Sequence, residues 1–204
     1  MKIRNLLTTL LLLTSLSANA GNGYEEITPP INTQSEPGRV EVTEFFWFGC
    51  PHCFAFEPTI NAWVADKPEH VDFRREAPPL NPGWLDHSKA FYAAEILGVT
   101  DVIFEPLFHA IHVEKRRLRR AEEIAQFAGE LGVDSEKFLQ TMNSFAVRTR
   151  INHAMQMSAA AGITGVPSIV INGAYRTGNS LAGGHDGIVR VMNQLVELEH
   201  GSGS

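Results

Sequence analysis

Glu44-Phe45-Phe46-Trp47-Phe48-Gly49-Cys50-Pro51-His52-Cys53-Phe54-Ala55-Phe56-Glu57 is the stretch that decides the reading of this chain. It opens in a run from Arg39 to Phe48 rich in β-branched and aromatic residues: Val40, Val42, Phe45, Phe46, Trp47 and Phe48. A continuous apolar run of this kind predicts a strand buried on both faces. Gly49 breaks it. A helix is predicted from Pro51, because proline at the first helical position gives up only an N–H that would lack a partner anyway. Phe54, Phe56, Ile60 and Trp63 supply its buried face, and Pro58 is expected to kink it. A strand feeding straight into a helix sets Cys50 at the helix start and Cys53 one turn in.

That placement has chemical content. Thiol–disulfide exchange needs two thiols within bonding reach, one of them of low pKa. The free N–H groups and the macrodipole of a helix start favour negative charge, so the Cys50 thiolate is stabilised there. His52, when protonated, adds positive charge beside it. A stabilised thiolate favours the reduced pair and makes the disulfide oxidising. Cys53 is expected to be buried and to act as the resolving thiol. Two structural alternatives stand beside this one. A Cys-x-x-Cys is half of a zinc site, but a closed site takes four ligands and no second cysteine pair exists. His109 and His112 are spaced to complete one, yet on an amphipathic helix they read as a surface and a half-buried residue. A purely structural disulfide is disfavoured because so short a loop gives little stabilisation.

Outward from the motif, Val71 to Arg75 reads as a second strand. Helices follow over Asp86 to Leu97, Asp101 to Val113, Ala121 to Leu131, Asp134 to Asn143 and Ala146 to Ala161, with ends marked by Gly98, Gly132, Gly162 and the N-cap Asp134. Ser168 to Asn172 and Ala174 to Arg176 form a hairpin around Asn172-Gly173. Asp186 to Glu199 closes as an amphipathic helix. The order is an α/β core carrying a helical insertion.

Met1 to Ala20 reads as a secretory signal: Lys2 and Arg4, an apolar stretch from Leu6 to Leu16, then Ala18-Asn19-Ala20. The apolar stretch is too short for a stable membrane anchor. No cysteine at the cleavage point calls for a lipid anchor. Gly21 to Gly38 reads as an extended, mobile lead-in, and Gly201 to Ser204 as a linker. The formal charge is −6, and −8 without Lys2 and Arg4, which argues against a nucleic-acid binder. Lys115-Arg116-Arg117-Leu118-Arg119-Arg120 is a basic run in this acidic chain. It reads as a solvated helix connection, with weak attraction for anionic partners or phospholipid head groups. An exported chain meets an oxidising compartment, where Cys50 and Cys53 can pair.

The segment from Glu44 to Glu57 resembles the active-site segment of the DsbA family of bacterial periplasmic disulfide oxidases. Gly165-Val166-Pro167-Ser168 resembles that family's second signature, a Val–cis-Pro bond facing the cysteines. The family is itself a standing example of a depressed cysteine pKa and an oxidising disulfide. The resemblance implies a thioredoxin-like fold with an inserted all-helical domain. Residues 39–83 and 146–200 would form the thioredoxin-like part, 84–145 the insertion, 21–38 an extended N-terminal segment and 201–204 a tail.

It further implies Cys50 as the nucleophile that forms mixed disulfides and Cys53 as its resolver. Pro51 and His52 lie between them in the catalytic motif, with His52 tuning the thiolate. Val166 and Pro167 would present backbone to an extended substrate peptide. Glu44 reads from its residues alone as a solvent-facing edge position; the resemblance makes it a buried acid that relays protons, with Glu57 on the face of Cys53. Arg75 falls near a family lysine. The implied partners are reduced or unfolded exported proteins and a DsbB-type membrane quinone reductase. The implied state is a periplasmic monomer without cofactor or metal. A disulfide isomerase or reductase on the same fold, and a secreted binding protein with a metal-bound or vestigial cysteine pair, are the other readings. The isomerase is disfavoured because residues 21–38 are too few for a dimerisation domain.

Overall fold

The computed structural model describes residues 21–202. The export signal read over Met1 to Ala20 lies outside the described residues. A five-stranded sheet runs in the order β1-β5-β4-β2-β3. Its strands are β1 (Glu25–Glu26), β2 (Val40–Phe45), β3 (Val71–Glu76), β4 (Ser168–Ile171) and β5 (Tyr175–Gly178). Between β2 and β3 lies α1 (Pro51–Asp66). Then follow α2 (Leu85–Leu97), α3 (Thr100–His112), α4 (Ala121–Glu130), α5 (Ser135–Met142) and α6 (Phe145–Ala160). Beyond the hairpin come α7 (Asn179–Ala182) and α8 (His185–Ser202). The last helix thus runs through Gly201 and Ser202, into the segment expected as linker. This is the thioredoxin-like arrangement with several added helices.

The long apolar run forms the buried centre of the sheet. β2 pairs parallel with β3 and antiparallel with β4, and every one of its residues is buried. Val40 and Val42 pack with Phe56, Ile60 and Trp63 of α1 and with Ile188, Met192 and Leu195 of α8. On the opposite face Phe45 and Val170 meet Met157 of α6 and Ala161 just after it. The earlier half of α6, Val147, Ile151 and Ala154, belongs instead to the helical cluster of Phe91, Phe104, Phe108 and Phe138. One helix therefore ties the helical block to the sheet. Pro58 does not end α1; it removes only the N–H that the Phe54 carbonyl would otherwise accept.

The lead-in is packed rather than mobile. Glu25 and Glu26 pair with Arg176 and Tyr175, Ile27 donates its N–H to Ala174 O at 2.7 Å, and the Ile27 side chain is buried. The hairpin turn holds Asn172 at φ 48° and Gly173 at φ 68°, the left-handed pair that matches strand twist.

After β2 the chain turns sharply before the helix. Trp47 O accepts from Cys50 N at 2.9 Å, folding the Trp47 indole back over Gly49. A Cβ at Gly49 would collide with the six-membered ring. Gly49→Ala is expected to displace the indole and destabilise the protein by about 1–3 kcal/mol. Urea unfolding with tryptophan emission checks this; unchanged stability and emission would show that the indole does not depend on the glycine.

Candidate active site

Cys50 is the N-cap residue of α1, in extended conformation, and its Sγ accepts the Cys53 N–H at 3.3 Å. The same sulfur lies 3.4 Å from Val166 O, to which it donates when protonated. Val166–Pro167 is a cis peptide leading into β4, so the hairpin brings residue 166 to the helix start. Cys50 is 6 % exposed and Cys53 is wholly buried; both are free thiols. Pro51 and His52 are exposed on the first turn.

The two thiols are driven apart electrically. Cys50 falls to a pKa of about 6 because the Cys53 thiol donates to it, aided by the N–H groups of Cys53 and His52 and by the His52 charge, against the opposing effect of burial. Burial, followed by the hydrogen bond and charge of Cys50, pushes Cys53 far up. One sulfur is a thiolate at neutral pH and its partner is a thiol.

Beneath them sits a buried charge cluster. Glu44 has the same strand parity as Val40 and Val42 and faces α1 from the central strand, not solvent. Arg75 of β3 donates to Glu44 Oε2 at 2.9 Å and to Glu57 Oε2 at 3.4 Å. Arg75 Nη2 also donates to Asn61 Oδ1 at 2.8 Å, and its guanidinium lies over the Phe104 ring at 4.5 Å. Burial raises both carboxyls: Glu44 upward against the pull of Arg75, Glu57 to about 8, helped by the Glu44 charge. One oxygen of each, Oε1, has no hydrogen-bond partner. Glu44 also raises Cys53 electrostatically. Asn61 carried no signal in the sequence, because an exposed-looking polar residue on a helix is ordinary until the fold sets Arg75 beside it.

The two histidines considered as metal ligands point to different partners. His112 Nε2 is 2.7 Å from Phe48 O and its ring stacks on Phe54, while His109 Nδ1 meets Glu114. Among the described residues no group of three or more His, Cys, Asp or Glu side chains is placed to hold a metal ion. Trp47 stacks on Trp84 with centroids 4.5 Å apart, an aromatic pair beside Gly49 that no local pattern reveals.

Thiolate absorbance of the reduced protein should therefore titrate with a midpoint of about 6, with Cys53 silent up to pH 9. A single step near the ordinary thiol value would contradict the helix-cap geometry. The sign for stability follows from linkage: a depressed acid releases its proton earlier in the folded state, so the reduced form gains stability as pH rises from about 6. Arg75→Met leaves Glu44 and Glu57 without a cation and is expected to cost about 3 kcal/mol or more at neutral pH. That loss should grow between pH 5 and 8, because unpaired buried carboxyls hold protons which the unfolded chain gives up. Urea unfolding across that range measures it; a pH-independent loss would sink the assignment.

A family model described as a DSBA-like thioredoxin domain matches residues 41–186. The thiol:disulfide interchange protein DsbA of Pseudomonas aeruginosa is 41% identical over 207 residues, covering 97% of each chain. DsbA of Burkholderia cepacia is 37% identical, covering 96% of this chain and 97% of its own. The crystal structure of Pseudomonas aeruginosa DsbA superposes with a TM-score of 0.83 at 41% identity, over 88% of this chain and 93% of that one. With the cysteine pair on the helix start and the Val–cis-Pro loop against it, the chain belongs to the DsbA family and is a thiol:disulfide oxidoreductase of thioredoxin-like fold.

Proposed function

We propose that this enzyme works in the periplasm as a disulfide donor to newly exported proteins. The observation that carries the reading is the helix-capped Cys50 sulfur, 3.3 Å from the Cys53 N–H. In the oxidised form a substrate thiolate attacks Cys50 Sγ. The Cys50–Cys53 bond breaks, and Cys53 leaves with the electron pair and takes up a proton, as its raised pKa requires. The substrate's second thiolate then attacks its own bridged sulfur and expels Cys50. A sulfur of pKa about 6 is a good leaving group. The substrate leaves as a disulfide and the enzyme as a dithiol, two electrons richer.

Within this scheme His52 and the free N–H groups hold the Cys50 charge, and Pro51 opens the helix that supplies them. Val166 and Pro167 dock the substrate backbone, their place opposite Cys50 supporting that role. Glu57, protonated at neutral pH, and Glu44 carry the proton to and from Cys53. Reoxidation falls to a DsbB-type membrane quinone reductase. Among the described residues no helix is long and apolar enough to cross a membrane.

Equilibration with glutathione buffers tests the direction of electron flow. A reduction potential well above the roughly −270 mV of thioredoxin is expected; a thioredoxin-like value would make the enzyme a reductase. Cys53→Ser, first converted at Cys50 to a mixed disulfide with thionitrobenzoate, should exchange that group for the thiol of a reduced exported protein and hold it, and Cys50→Ser treated in the same way should trap none. Trapping through Cys53 instead would reverse the two roles.

A further inference from the structure

The basic run between α3 and α4 does something its composition hides. Residues 115–119 lie in an irregular segment, with Lys115 at φ 60°, whose exposure alternates. Arg116 turns inward: it forms a double ion pair with Glu130, at 2.7 and 2.8 Å, and stacks over Phe127. Leu118 is buried, and its carbonyl meets the Nε2 of buried His87. Lys115, Arg117 and Arg119 point outward and are exposed. Three of the neighbouring acids have other partners: Arg116 for Glu130, Arg120 for Glu123 and His109 for Glu114. Lys115 Nζ reaches only the His112 carbonyl. Among the described residues no carboxylate pairs with the Lys115, Arg117 or Arg119 side chain. The segment is thus anchored by alternate residues and displays uncompensated positive charge with the others.

That charge borders a cleft of about 530 Å³. Its lining includes the stacked Trp47 and Trp84 and also Gly49, next to Cys50. Aromatic faces accept a polypeptide segment without sequence demand, while fixed cations on the rim select by charge. A planar anionic bilayer fits a concave site poorly, and the reacting partner has to reach Cys50 as a polypeptide.

We propose that Lys115, Arg117 and Arg119, with the stacked Trp47 and Trp84, form a substrate cleft that favours polypeptide segments carrying acidic residues beside the reacting cysteine. The inference rests on Cys50 being the sulfur that substrates attack. These residues set specificity and take no part in bond making.

The test uses the oxidised full-length mature protein and dithiol peptides identical except that the residues flanking one cysteine are Asp, Ser or Lys. Oxidation rates come from stopped-flow tryptophan fluorescence. The Asp peptide is expected to react about tenfold faster than the Lys peptide at low salt, with the ratio falling toward one in 0.5 M salt. An Arg117→Gln/Arg119→Gln variant, checked for folding by circular dichroism, should lose most of that ratio. An Asp-to-Lys ratio near one in the wild-type protein, or one equal in wild type and variant, overturns the proposal. So does binding to phosphatidylglycerol vesicles without any peptide preference, which would make the arm a membrane contact. If the Ser peptide is not oxidised at all, the donor reading itself fails, and that result is distinct from a missing charge preference.

Discussion

A single weak contact governs this molecule: the backbone N–H of Cys53 pointing at the sulfur of Cys50. It exists because the chain leaves β2 at Phe45, folds over Gly49 and enters α1 at Pro51 with its first N–H groups unspent. Those groups give a negative sulfur a better home than water gives it. The second sulfur is wholly buried one turn in, so the same geometry that stabilises charge at one position forbids it at the other. The asymmetry of the pair comes first from the Cys53 thiol donating to Cys50 and from the burial of Cys53, and then from the N–H groups of the helix end. It needs no side chain beyond the cysteines themselves, and His52 adds to a field already present.

The layer beneath, Glu44, Arg75 and Glu57, is poorly explained by stability. Buried ion pairs seldom outweigh their desolvation, and here two carboxyls share one guanidinium, each keeping an oxygen unpaired. Burial raises both acids, Glu57 to about 8, so the cluster holds on to protons more tightly than free carboxylates do. A proton held in that cluster is near the thiol that must gain and lose one in every cycle. A network that is costly for folding is the pattern expected where perturbed groups cluster at functional sites, which supports the proposed relay.

How much of this was legible in the sequence depends on the range of the interactions involved. β2, α1 and the Cys50 cap are encoded by neighbours in the chain, as are the Gly98 helix stop at φ 67° and the Asp134 cap. The α/β class and the site cysteines were therefore readable. Glu25 and Glu26 have no strand propensity; they form β1 only because Arg176 and Tyr175 offer an unpaired edge. The depth of Glu44 was ambiguous for the same reason, since an acid in an apolar strand reads as an edge residue until Arg75 arrives from the adjacent strand. Trp84 lies far from Trp47 in sequence, and no local pattern announces their stacking.

The basic segment shows the limit most clearly. As a string, Lys115 to Arg120 is uniform charge, and uniform charge reads as a solvated connection. Tertiary partners divide it. Glu130 and Phe127 claim Arg116, and the core takes Leu118. Arg116 lines two hollows at once: the aromatic cleft beside Gly49, and an apolar groove of about 890 Å³ that includes Phe54, Pro58 and Phe108. Its double ion pair with Glu130 fixes a side chain that borders both a charged and an apolar hollow near the first turn of α1. The thioredoxin-like part supplies the sulfur chemistry through backbone geometry, which cannot distinguish one polypeptide from another. In the proposed cleft the side chains that distinguish them, Lys115, Arg117 and Arg119, enter from the segment after α3, so charge selectivity there would come with the added helices.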